Sequence, residues 1–232
     1  DLTGATSGAL QFKESQDTEP GYDFVFVEAH TVGQDDWTTL PDANGNTSDD
    51  TGLGCPDPDP FWLNQHPFLR HYITRTADAS SDTGFTCTPT GSSGKWNAAT
   101  GNSSGFHDWN VDLSSFAGKQ VEVSITYETD PSTQGLGVFV DDAKTVVGGA
   151  TQSSTSFETD DISPWTVGGP PEGSQPNANN WVRSPSPGFE DGPGIRTSRS
   201  VLLGFGVESV TGAAQRNQLV KDALGYLGVS SP

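Results

Sequence analysis

At 232 residues, with 28 Gly, 16 Pro and no Met, the chain has the size for one large or two small turn-rich domains with a buried core. Its 30 acidic against 11 basic residues give a net charge of −19, which argues against nucleic acid and anionic lipid as partners. No apolar run is long enough to cross a bilayer as a helix, and no signal peptide is visible in the sequence, so the expectation is a secreted chain in mature or processed form.

Residues 2–8 read as a polar linker or edge segment, and Ala9–Lys13 alternates apolar and polar as a half-buried strand does. The stretch Asp17–His30 begins with turn formers and runs through Tyr22, Phe24, Val25, Phe26 and Val27. It is the most apolar run here, and it predicts a central strand buried on both faces. A short strand follows over Asp36–Leu40, closed by Pro41.

From Asp42 to Gly94 the chain is long and irregular, as functional or crosslinked loops are. Asp42, Asn44, Asn46, Asp49 and Asp50 form an Asn/Asp turn cluster. It is not an EF-hand loop, because Gly45 stands at position four and no Glu closes the run. Cys55 and Cys87 are the only cysteines; a disulfide between them would contribute roughly 3–4 kcal/mol through loop closure, and two separate buried thiols are the alternative. Phe61, Trp62, Phe68, Leu69 and Tyr72 cluster here with His66 and His71, and one helical turn fits residues 67–72.

Gly94–Ala98 and Gly105–Trp109 read as short strands, and Leu113 and Phe116 as core plugs in the connector after them. Gln120–Thr129 alternates strictly, with Val121, Val123, Ile125 and Tyr127 on one face and Glu122 and Glu128 in an outward polar register. Gly135–Asp142 is a second apolar strand, ending in paired carboxylates. Residues 151–156 read as a Ser/Thr linker, dividing a domain over 1–150 from a smaller sub-module over 151–232. The sub-module has a last apolar strand over Ser200–Glu208. Its helix spans 213–227, with Leu219, Val220, Ala223, Leu224 and Leu227 on one stripe, Thr211 as N-cap and Gly228 as stop. The fold class is all-β with one C-terminal helix.

The succession YDFVFVE, DDWTTLPD, a Trp, VDLSSFAGKQVEVSITYETD and GVFVDD resembles the β-sandwich module of immune-inhibitor-A-type secreted metallopeptidases. A related module follows the catalytic domain of some secreted actinomycete zinc carboxypeptidases. The later FE…W, VLLGFGVE and QRNQLVKDALGYLG segments resemble the end of such tails. The likeness covers nearly the whole chain. It implies a jelly-roll β-sandwich related to MAM and galactose-binding domains, often with structural calcium. No peptidase domain is present, so the family's catalytic residues have nothing to map onto.

Direct inspection for chemistry agrees. There is no HExxH or GxSxG, and His66 and His71 lie five apart in a Pro-containing segment, a spacing that suits loop packing rather than zinc. Glu28 with Glu122 or Glu128 could form a glycosidase acid pair only if the polar register faced inward. The resemblance places calcium where an early acid meets the acid ending a core strand. The matching positions are Glu19 and Asp142, with Asp23, Asp141 and Glu158 beside them; a turn acid and a strand-end cap are the plain alternative. Phe61, Trp62, Tyr72, Trp109 and Trp181 could form an aromatic stacking platform, while Trp37, Trp96 and Trp165 plug the core. Asn46 and Asn102 match the glycosylation pattern.

The function expected is a non-catalytic, calcium-stabilised accessory module of a secreted zinc metallopeptidase. Its partner would be the catalytic domain or a protein substrate. The alternative is an independent carbohydrate- or surface-binding domain.

Overall fold

The computed structural model describes residues 1–53, 55, 60–81, 84–133, 135–169, 171–176, 180–183, 194–197, 200–203, 217–221 and 223. Two compact units result, Asp1–Arg183 and Ser184–Pro232, so the division falls well beyond the boundary at 150 expected from the Ser/Thr run.

In the first unit the elements are β1 (Gly8–Asp17), β2 (Phe24–Thr31), β3 (Thr38–Leu40), α1 (Pro60–Gln65), α2 (Leu69–Tyr72), β4 (Thr74–Ala77) and β5 (Phe85–Thr88). They continue with β6 (His107–Asp112), a 3-10 turn at Ser114–Phe116, β7 (Val121–Glu128), β8 (Gly137–Val147) and β9 (Ala150–Thr155). One antiparallel sheet has the order β6-β1-β8-β9 and another β3-β2-β7, while β4 and β5 form a separate hairpin. The chain crosses between the two larger sheets at β1–β2, from β3 to β6 by way of the irregular 42–94 excursion, at β6–β7 and at β7–β8, which is the wrapping of a jelly-roll sandwich. In the second unit β10 (Gly194–Thr197) pairs antiparallel with β11 (Ser200–Leu203), and residues 217–221 and 223 are helical. The remainder of the expected 200–208 strand and 213–227 helix lies outside the described residues.

β2 has both faces covered, as its unbroken apolar run requires. Val25, Val27 and Ala29 join Leu10, Phe12, Trp109, Val111 and Ala143 in the core between the sheets. On the opposite face, Phe24 and Phe26 pack with Trp62, Leu69, Tyr72, Ile73 and Trp96 in a second core. Trp96 meets Phe24 edge-on at 5.3 Å and Phe26 at 5.0 Å between ring centroids. Burying each such aromatic is worth roughly 1.5–3 kcal/mol. Residues 60–73 of the irregular excursion are therefore a third layer over β2, and the loop aromatics are its underside. Gly91 holds this layer close: a Cβ there would collide with the backbone of Arg70 and His71 at the end of α2.

Two strands differ from expectation for clear reasons. β8 does not stop at its carboxylates but continues to Val147. Its register against β1 shifts between Gln11 and Lys13, a bulge that sets Asp142 in the left-handed region (φ 49°), where Asp is better tolerated than most residues. The Ser/Thr run is β9, an edge strand that needs no apolar face of its own; its polarity protects the sheet edge. The expected Gly94–Ala98 strand is reduced to isolated bridges at Lys95 and Ala98.

Cys55 and Cys87 are joined by a disulfide, 32 positions apart in sequence, tying the start of the third layer to β5. Replacing both cysteines by Ala should lower the unfolding free energy by about 3–4 kcal/mol. Denaturant midpoints check this, and the reduced native chain should match the double variant.

Candidate functional site

Alternation along β2 sends Glu28 to the same face as Phe24 and Phe26, under the third layer. The antiparallel register with β7 sets Glu28 opposite Ser124, Phe26 opposite Thr126 and Phe24 opposite Glu128. The polar register of β7 thus faces the excursion, and Glu128 is buried instead of solvated as the alternation had implied. From above, the segment after α1 supplies His66 and α2 supplies Tyr72.

These groups converge on one carboxylate. Glu28 Oε1 accepts from His66 Nε2 at 2.5 Å and from Tyr72 Oη at 2.7 Å. Glu28 Oε2 accepts from Ser124 Oγ at 3.1 Å and from Thr126 Oγ1 at 2.6 Å. Glu28 is 3% and His66 2% exposed. Burial works to raise Glu28, but the His66 charge and the donated hydrogen bonds hold it below its ordinary value. Burial likewise opposes a charged His66, yet Glu28, with Glu128, raises it above its ordinary value. Burial, with the Glu28 charge beside it, pushes Glu128 up to about 8. A buried ion pair beside a neutral acid carries no net charge. Each Glu28 oxygen thus accepts two hydrogen bonds from internal donors. The cluster ties the third layer to the sheet.

The other histidines also serve packing. His30 bonds Gln34 O and Glu122, both at 2.8 Å, and stacks on Trp37; His71 bonds Ser93 Oγ at 2.7 Å.

A second polar site opens to solvent. The inward face of β1 runs Leu10, Phe12, Glu14, Gln16, so the register that fills the core with apolar side chains ends in two polar ones. They line a cavity of about 160 Å³ together with Asn46, Thr100, Ser103 and His107. Glu14 Oε2 accepts from Trp109 Nε1 at 3.2 Å, and burial pushes the acid up to about 7. Glu14 Oε1 and Gln16 Oε1 have no hydrogen-bond partner in the protein. Reading the strand only as far as Lys13 missed this site, although the alternation itself continues through both residues.

The expected calcium ligands are not assembled. Asp23 is buried and its carboxylate accepts from the backbone N–H of Glu19 and Asp130 and from Tyr127 Oη, so it closes a turn. Asp141 lies opposite Lys13, and Lys13 to Asp17 is already roughly 13 Å of strand before the chain reaches Glu19. Asp142 is an exposed bulge residue and Glu158 is exposed beyond β9. Among the described residues no group of three or more His, Cys, Asp or Glu could hold a metal ion. These donors do not fit calcium's need for six to eight oxygens.

The aromatic platform is not assembled either. Trp62 and Tyr72 belong to the second core and Trp109 to the first, because each sits on the inward side of its element. Phe61 is half-buried against the second core, and Trp181, at the surface, donates Nε1 to Ile125 O at 3.1 Å. Trp96 is buried as expected, and Trp37 and Trp165 are partly buried against the cores.

The acids set a pH dependence. The folded protein keeps protons on Glu128 and Glu14 over pH ranges, from about 4.5 to about 8 and about 7, where the unfolded chain has lost them. Stability therefore falls as pH rises through those ranges, and His66, raised in the fold, adds to the fall above its unfolded value. Glu28, lowered in the fold, removes stability only on the acid side. Denaturant midpoints at several pH values should show greatest stability near pH 5, declining by a few kcal/mol toward pH 8.5; Glu128→Gln should flatten much of that decline. Glu28→Gln or His66→Ala should cost about 3–5 kcal/mol, the penalty of stranding a buried partner.

No protein-family model matches this chain, and no curated protein sequence matches it.

Proposed function

We propose that the chain is a non-catalytic binding module of a secreted metallopeptidase, and that it docks on protein. The segments that resemble such modules form β2, β3, β6, β7 and β8, so the likeness follows the sandwich framework. The disulfide suits an oxidising compartment, and among the described residues no helix is long and apolar enough to cross a membrane.

The observation that carries the reading is three exposed apolar side chains anchored at one end of the sandwich. Leu53, Phe106 and Leu136 are 68, 44 and 51% exposed. All three are attached to the end of β1 or to the turn that follows it. Leu53 N–H donates to Gly21 O, Leu136 N–H to an Asp17 carboxylate oxygen, and the loop before Phe106 is held by Ser103 N–H on Gln16 O. Apolar side chains grouped at one end of a chain as acidic as this one mark a contact surface. A glycan platform has less support, since three of the five candidate aromatics are core.

Retention of the purified chain on immobilised casein and on insoluble polysaccharides, with and without calcium, tests the reading. Expected are retention on protein, at least a tenfold loss for the Leu53→Ser, Phe106→Ser, Leu136→Ser triple variant, and no hydrolysis of labelled peptides. Retention on polysaccharide alone, unchanged in the triple variant, would sink it.

A further inference from the structure

The cavity at the end of β1 is independent of the docking reading and has its own chemistry. Its floor is made by Glu14 and Gln16, 1% and 6% exposed, adjacent on one face of the strand. Each has a buried Oε1 that no protein donor satisfies. A buried acceptor left unpaired costs free energy, so the site favours a group that brings donors.

The neighbouring donors are engaged elsewhere. Asn46 Nδ2 donates to Asp42 and to Asp108 O, Thr100 Oγ1 to Glu19 O, Ser103 Oγ to the Gln16 and Gly105 carbonyls, and His107 Nε2 to Ser103 O. Above pH 7, where Glu14 has lost its proton, what the two Oε1 atoms of the floor offer is acceptance of hydrogen bonds. The nearby charges have the same sign, because Asp17 and Asp42 both bond cavity-lining amides. Anionic ligands are thereby disfavoured. A divalent metal ion would find one carboxylate and one amide oxygen on the floor, well short of a calcium shell. An ammonium group needs less: it carries three N–H donors and no acceptor, and one buried carboxylate balances its charge.

We propose that this pocket binds a primary ammonium group on an alkyl stem, as in a lysine side chain or a free alkylamine. Glu14 Oε1 supplies the counter-charge and Gln16 Oε1 a second acceptor.

Titration of isotope-labelled native protein at pH 8, followed by amide chemical shifts, tests this directly. The probes are n-butylamine, Nα-acetyl-lysine methylamide, its Nε-acetylated counterpart, n-butanol and calcium chloride. Expected are saturable shifts centred on Glu14, Gln16 and Ser103 with one or both amines, and none with the neutral analogues. A response to butylamine alone assigns the site to free amines, and a response to the lysine probe assigns it to lysine side chains. Glu14→Gln, which keeps an oxygen for Trp109, should weaken binding at least tenfold, and Gln16→Leu severalfold. Should Glu14→Gln fail to fold, the native titration and Gln16→Leu still decide the matter. Equal shifts with n-butanol, stronger shifts with calcium, or no shifts with any probe would overturn the proposal; the last result would leave the two oxygens to water.

Discussion

A carboxylate on the covered face of a central strand constrains much of this fold. Glu28 lies on β2, whose two faces are both covered, so its charge has no route to bulk water. An ionised acid in that position is tolerable only with a full set of donors, since an unpaired one would cost several kcal/mol. Two donors come from the neighbouring strand, through Ser124 and Thr126, and two from the excursion, through His66 and Tyr72. The excursion is thus bound to its position by electrostatics as well as by the aromatic core around Phe24, Phe26 and Trp96.

This explains why a stretch with so little regular structure is covalently closed. α1 and α2 are 6 and 4 residues long, too short to persist by helix propensity. Their order comes from the apolar side chains pressed on β2, from the Glu28 pair and from the Cys55–Cys87 bond. Loosening any one of these weakens the others, because all three hold the same layer. Glu128 adds a cost that grows as its proton is lost, so the layer is held most firmly on the acid side of neutrality.

The end of the sandwich where β1 finishes has a different character. There the inward register turns from Leu10 and Phe12 to Glu14 and Gln16, and the core gives way to a solvent-reached polar cavity. Leu53, Phe106 and Leu136 are anchored at the end of β1 and the turn after it and remain exposed. Polar groups that are buried but unsatisfied, and apolar groups that are exposed, depart from the usual pattern in opposite directions. Both kinds of departure occur together at this end, whereas the Glu28 carboxylate departs from the pattern and is met by four internal donors. The departures at this end are left for a ligand or partner to resolve; that of Glu28 is resolved within the chain.

Local patterning determined a good deal. The run through Phe24–Val27 required a strand covered on both sides, the alternation of Val121–Tyr127 set one face of β7 against the core, and two cysteines flanking a long irregular segment pointed to its closure. Period-2 patterning carries such information because it needs only neighbours along one strand. It could not say what covered the polar face of β7, because that depended on a layer arriving from residues 60–73 and 96, far away in sequence. For the same reason His66 and Tyr72 read as loop residues until the fold set them on Glu28. The family resemblance paired the acids Glu19 and Asp142, but strand register and a bulge set them apart, and neither feature is written in composition or spacing. The Glu14 and Gln16 pocket stood between the two cases. Its register was legible in β1, but whether those side chains were bonded, exposed or left unpaired was decided only by the loops that close over the end of the sandwich.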